Sequence, residues 1–166
     1  MRSSPRPLPQ RTLQRGPLLL ISFAIVAVDQ ISKSLVRGQL QLGQPIDFLP
    51  GFLQLRWVRN TGAAFSLFSN ATTMLGLLSL VVGLAVGVWI WRSRQQPFWQ
   101  GLALACLLGG TVGNGIDRWR LGHVTDFLEL VPISFPIFNG ADIAINLAVA
   151  CFAIDVLTRR HEHPSR

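Results

Sequence analysis

Four stretches of the chain are apolar for long enough to cross a bilayer as helices, at residues 17–36, 72–91, 98–116 and 139–157. A hydrocarbon core needs about 20 such residues. The second stretch carries no charge from Thr72 to Trp91, whereas the other three each hold ionisable or amide residues near one end. Between the first two lies a segment with a different rhythm. Residues 53–59 alternate apolar and polar with the period of a strand, Pro50-Gly51 marks a turn just before them, and residues 45–49 offer a partner strand. The pattern predicts an all-α membrane protein of four transmembrane helices, with a small extracytoplasmic β-hairpin or cradle (about 40–69) between the first and second. Trp57, Phe65 and Phe68 are expected to dip from that cradle toward lipid.

Composition agrees with a membrane protein. Of 166 residues, 49% are hydrophobic and only 14% charged, with a mean hydropathy of +0.40; about 25% charged is usual for a soluble domain. The net charge of +7 would suit nucleic acid if it formed a reading surface. Instead the charges fall between apolar stretches, so no nucleic-acid partner is expected and the charge reads as membrane orientation. Arg2, Arg6, Arg11 and Arg15 precede the first span, Arg92 and Arg94 link the second and third, and Arg159, Arg160 and Arg166 follow the fourth. These nine of the 15 basic residues must share one side of a four-span protein, which predicts cytoplasmic N- and C-termini. Segments 37–71 and 117–138 then face outward.

The N-terminus has the basic and apolar parts of a signal peptide but no A-x-A site closes the run, so an uncleaved first span is expected. Residues 1–16, rich in Pro and Arg, are expected to be a disordered tail, residues 17–158 a single membrane domain, and residues 159–166 a second basic tail. Cys106 and Cys151 lie inside apolar runs as packing residues. His123, His161 and His163 lack metal-ligand spacing, so no metal or cofactor is expected.

Ionisable groups inside spans are costly and suggest function. Asp29 and Lys33, four apart, share one helical face and read best as an ion pair that orients the first helix. Gly109 and Gly113 have the small-xxx-small spacing that lets helices approach closely. Asn114, Asp117 and Arg118 project together, with an interfacial cap and a snorkelling arginine as the plainer reading. Asp126 lies among apolar residues of the second outer segment. Asn139 suits a helix N-cap with Asp142 three residues on, so simple capping is a serious alternative for both, and Asn146 extends the polar face inward. Asp155 is read as a partner for Arg159. Together, Asp126 and Asp142 stand at one predicted depth among amides and an arginine, and His123 on that face has no matching nucleophile. Two carboxylates sharing a proton are the minimal equipment for peptide hydrolysis by an activated water. A small proton-coupled transporter or channel is the alternative, weakened because the charges gather in one leaflet.

Five motifs occur in order: Asp29-Gln-x-Ser-Lys33, Val58-x-Asn60-x-Gly62-Ala63-Ala64-Phe65-Ser66, Gly110-x-x-Gly113-Asn114-x-x-Asp117-Arg118, Val124-x-Asp126-Phe127 and Phe138-Asn139-x-Ala141-Asp142. With these the chain resembles the lipoprotein signal peptidase (signal peptidase II) family from its first span to its last. The resemblance implies an aspartic endopeptidase of the bacterial inner membrane that needs no metal. It would remove signal peptides from prolipoproteins, cutting before a cysteine that carries a diacylglyceryl group. It further implies Asp126 and Asp142 as the catalytic pair, with Asn60, Gly62, Asn114, Arg118 and Asn139 around the substrate. Membrane lipids are the other expected partner, and a monomer is expected. Ser32 stands where the family often has Thr. Gly140 replaces a common larger residue and should loosen the first turn of the fourth helix, glycine costing about 1 kcal/mol relative to alanine in a helix.

Overall fold

The computed structural model describes residues 11–62 and 72–162. Four long helices form around the apolar stretches: α1 (Arg15–Gln39), α2 (Thr72–Arg92), α3 (Phe98–Leu121) and α4 (Gly140–Glu162). Their outward faces are apolar, with Phe23 70%, Val81 62% and Val149 64% exposed. Water would penalise such faces and lipid would not. Among the described residues three helices, α1, α2 and α4, are long and apolar enough to cross a membrane. The expected fourth, α3, falls short because Gln100, Asn114 and a run of glycines dilute its apolar character and Asp117, Arg118 and Arg120 close it. Those same residues suit it to the centre of the bundle, where it packs against the other three.

Glycine makes that central position possible. A methyl group on Gly109 would lie 2.7 Å from Ile25 Cβ of α1, and one on Gly110 would lie 2.5 Å from the Ala141 carbonyl oxygen of α4. On Gly113 it would stand 2.7 Å from Asp29 Oδ2. Thus α1 and α4 both approach to backbone contact on the glycine face of α3. The bundle is also polarised along its axis. Leu18, Val86, Ile90, Leu104 and Ala105 form an apolar core near the start of α1, while Asp29, Lys33, Asp117 and Asp126 are buried near its other end.

Two small sheets frame the ends. At the apolar end β1 (Thr12–Gln14) pairs antiparallel with β4 (Gln95–Pro97). Order therefore begins before residue 17, contrary to the expected disordered tail. Three residues are too few to show a strand period, and the pairing follows from α1 and α3 starting side by side. Residues 1–10 lie outside the described residues. The C-terminal tail is likewise shorter than expected, because α4 continues to Glu162.

At the polar end β2 (Pro45–Leu49) and β3 (Leu53–Asn60) pair across the turn at Gly51, whose φ of +74° suits glycine. The sequence anticipated a two-stranded hairpin. The sheet instead has three strands in the order β2-β3-β5, with β5 (Val124–Leu130) following α3 through a left-handed Gly122. The first four residues of β5 are buried, so both faces are apolar or packed and no alternation betrays the strand. Its free edge is closed by Phe138, whose carbonyl accepts from Phe127 and Leu128 N–H and whose N–H donates to the Leu128 carbonyl. Phe138 leads directly into α4. Of the aromatics expected to reach lipid, Trp57 is half-buried, and Phe65 and Phe68 lie outside the described residues.

The glycine face predicts opposite outcomes for two alanine substitutions. Gly110→Ala gains about 1 kcal/mol of helix propensity yet must push α4 away, so a net loss of about 1–3 kcal/mol is expected from overpacking. Gly140→Ala meets nothing nearer than 3.5 Å and should be neutral or stabilising. Unfolding midpoints of both variants in detergent measure the difference.

Candidate active site

The polar end encloses a cavity of about 1220 Å³ bordered by the ends of β3, α3, β5 and α4. Asn60, Gly62, Asn114, Arg118, Asp126 and Asp142 all line it. Asn139 lies just behind, fully buried.

Each side chain is held there by ordinary secondary structure. Strand pairing sets Val58 opposite Asp126 and Asn60 opposite Val124, which makes Asn60 and Asp126 diagonal neighbours on one face of the sheet. Asn60 Nδ2 donates to Asp126 Oδ2 at 2.8 Å, and its Oδ1 accepts from Gly62 N–H at 2.9 Å, shaping the chain as it leaves β3. Arg118 Nη2 reaches the Gly62 carbonyl at 3.4 Å.

Asn139 and Asp142 form a reciprocal cap at the start of α4. Asn139 Oδ1 accepts from Asp142 N–H at 3.0 Å, and Asp142 Oδ2 accepts from Asn139 N–H at 3.1 Å. The capping explanation weighed from sequence is therefore true, and it is also what aims the carboxylate. Asn139 Nδ2 donates to Asp126 Oδ1 at 2.6 Å and to Asn114 Oδ1 at 3.1 Å. Asn114 Nδ2 in turn donates to Asp142 Oδ1 at 2.8 Å. One asparagine thus touches both aspartates, and among the described residues each carboxylate oxygen receives a protein donor.

Burial pushes the Asp126 carboxyl up to about 6, and the neighbouring charge of Asp142 pushes the same way. The hydrogen bonds from Asn60 and Asn139 and the charge of Lys33 oppose this. Asp126 consequently keeps its proton well above the usual carboxylate range, to about pH 6.

Asp29 and Lys33 lie beneath the cavity at 1% and 0% exposure, with Nζ 2.8 Å from Asp29 Oδ2. The ion pair is as expected from their spacing. Its surroundings were not legible. Asp117 Oδ2 stands 3.3 Å from the same ammonium, which also donates to Asn114 Oδ1 at 2.9 Å. Gln30 Nε2 donates to Asp29 Oδ2, to Asp117 Oδ1 and to the Gly113 carbonyl. Arg37 reaches Thr125 Oγ1 at 3.0 Å and Asp117 at 4.0 Å. Helical spacing groups Asp29, Lys33 and Arg37 on α1 and Asn114 with Asp117 on α3; the contacts between the two helices leave no such local signal. Asn146 lines the cavity and donates to the Asp142 carbonyl. Asp155 pairs with Arg159 at 2.9 Å, and His123 Nδ1 lies 2.9 Å from the Leu121 carbonyl. Among the described residues no group of three His, Cys, Asp or Glu side chains is arranged to hold a metal ion.

A membrane helix bundle with two carboxylates facing one cavity is the setting of an intramembrane enzyme, and known proteins agree. A solved structure described as a bacterial membrane enzyme matches with a TM-score of 0.85 at 26% identity, covering 96% of this chain and 98% of its own. Another so described gives 0.77 at 29% identity, covering 86% and 93%. A lipoprotein signal peptidase of Parasynechococcus marenigrum (strain WH8102) is 58% identical over 89% of this chain and 93% of its own length. One of Synechococcus sp. (strain RCC307) is 50% identical over 86% and 95%. The family described as signal peptidase (SPase) II matches residues 21–158. The chain belongs to the signal peptidase II family, the membrane proteases that remove signal peptides from prolipoproteins. Nothing supports the transporter alternative.

The buried ammonium yields a prediction about stability. Lys33→Met leaves two buried carboxylates without their cation and should cost about 3–5 kcal/mol. Chemical unfolding of the purified variant in detergent measures this; a midpoint equal to that of the parent would show that the cluster carries no weight.

Proposed function

We propose that Asp126 and Asp142 are the catalytic pair of this peptidase. The observation that carries the reading is the shared amide network: Asn139 donates to both carboxylates, through its side chain to one and its backbone to the other. Two carboxylates tied to one residue at the mouth of one cavity are placed to share a proton and a water. Asp142 begins α4, where the helix dipole and the Asn139 N–H favour the ionised form. It acts as the base that takes a proton from water. Asp126, raised to about 6, holds a proton up to about that pH and donates a hydrogen bond to the scissile carbonyl. As the tetrahedral intermediate collapses, the proton gained by Asp142 passes to the leaving amine. Asn60, Gly62, Asn114, Arg118 and Asn139 support the pair and the substrate main chain, while Asp29 and Lys33 are structural.

The same reading sets the enzyme in the bilayer. All four helices cross it, α3 shielded by the other three; both termini face the cytoplasm, as the arginine distribution supports. The cavity and the three-stranded sheet then lie at the outer face of the inner membrane. A precursor tethered by a diacylglyceryl-cysteine arrives laterally within the lipid, its cleavage site held at the depth of Asp126 and Asp142. Lipids are thereby direct neighbours of the enzyme, which acts as a monomer.

Cleavage of a diacylglyceryl-modified prolipoprotein by purified, reconstituted protein tests the assignment. Asp126→Asn and Asp142→Asn should each lower kcat on the order of 10²–10⁴-fold while the protein stays folded. Near-full activity in either variant overturns it. The parent should also lose kcat/KM on the alkaline side as Asp126 gives up its proton, through about pH 6, and on the acid side as Asp142 gains one, although such limbs belong to the pair as a unit.

A further inference from the structure

The carboxylates beneath the cavity do more than neutralise Lys33. Asp29 Oδ1 accepts the backbone N–H of Ala141 at 2.9 Å, and Asp117 Oδ2 accepts the backbone N–H of Thr125 at 3.0 Å. Ala141 and Thr125 are the residues that immediately precede Asp142 and Asp126. Each buried carboxylate therefore grips the chain one peptide unit from a catalytic one, and consecutive Cα atoms are about 3.8 Å apart. The two grips are joined to each other. Lys33 Nζ lies 2.8 Å from Asp29 and 3.3 Å from Asp117, and Gln30 Nε2 lies 3.2 Å from both. All four residues are on α1 and α3, whereas the gripped backbones belong to α4 and β5.

We propose that Asp29 and Asp117, bridged by Lys33 and Gln30, are positioning residues that set the separation of the Asp126 and Asp142 carboxylates. The inference rests on reading that pair as catalytic. On one side of Asp126 the Phe138 bridge to Phe127 and Leu128 ties β5 to the start of α4; on the other side Asp117 holds the Thr125 N–H from α3. Asp29 supplies the matching hold on α4 from α1. A shift in the Asp117 grip moves Asp126 relative to Asp142 while leaving in place the cavity walls at Val58, Ile143 and Leu147, none of which belongs to β5. Turnover then suffers and substrate binding does not. A purely structural cluster behaves differently: its loss lowers the amount of folded enzyme, and each folded molecule still works normally.

The test measures kcat and KM per folded molecule for the full-length enzyme in lipid, with a diacylglyceryl-modified precursor as substrate. Asp117→Ala keeps the Asp29–Lys33 pair but loses the acceptor for Thr125. Its kcat is expected to fall on the order of 10- to 100-fold, the scale of a roughly 1 Å misplacement, with KM unchanged. Asp117→Asn, which retains an acceptor oxygen of the same size, recovers most of that loss. Should Asp117→Ala not fold, Thr125→Pro removes the gripped N–H at an edge position and leaves every buried charge intact. Its comparator is Thr125→Val, which loses only the hydroxyl bonded to Arg37. A kcat for Thr125→Pro well below that of Thr125→Val supports the proposal. Equal values for those two, or Asp117→Asn falling as far as Asp117→Ala, overturns it. Asp126→Asn and Asp142→Asn run in the same assay: if they stay active the catalytic reading fails and takes this one with it. If they are inactive while the Asp117 and Thr125 variants turn over normally, only the positioning claim fails.

Discussion

A positive charge with no access to water governs this structure. Lys33 is 0% exposed in a helix whose neighbours are lipid and protein, and an unpaired ammonium there would cost several kcal/mol. Its neutralisation demands carboxylates from two helices, Asp29 on α1 and Asp117 on α3. Asp29 reaches it along α1, but Asp117 can do so only if the two helices pack closely, and the glycines of α3 permit this. Gly113 stands directly against Asp29. The close packing and the buried charge are thus two sides of one constraint.

Around that constraint, polar groups are satisfied mostly by one another. Lys33 and Asn139 both donate to Asn114 Oδ1, which turns the Asn114 amide toward Asp142. Asn139 caps α4 and at the same time joins Asp142 to Asp126. The structural and the chemical roles of these residues are not alternatives. The cap that ends the unpaired N–H groups of α4 is the same contact that fixes a carboxylate at the cavity. In a bilayer, where every buried polar group needs a partner, a site built from amides and acids is stable because the network that positions it also satisfies it.

Much of this was legible in the sequence, and the boundary between what was and was not follows physical lines. The apolar stretches foretold α1, α2 and α4 because lipid selects on composition alone. The Asp29–Lys33 pair was readable because helical spacing is local. The capping pattern at Asn139 and Asp142 was readable for the same reason, although its second role was not. Strand β5 escaped notice because a segment packed on both faces loses the alternation that marks a half-buried strand. The short β1–β4 pairing left no pattern at all. The links of Lys33 to Asp117 and of Asp29 to Ala141 span 84 and 112 positions, and no periodicity reports contacts at such range. The family resemblance supplied the substrate, which polar residues at a helix end do not specify.

The proposed chemistry depends on where one proton sits. Burial beside Asp142 lets Asp126 keep a proton up to about pH 6, held by two asparagine amides at the cavity. Infrared difference spectroscopy of the carboxyl C=O stretch, recorded against pH on the reconstituted protein, reads this directly. A protonated carboxyl that titrates with a midpoint near 6, vanishes in Asp126→Asn and persists in Asp142→Asn is the predicted result. A protonated carboxyl that instead vanishes in Asp142→Asn and survives in Asp126→Asn would contradict it.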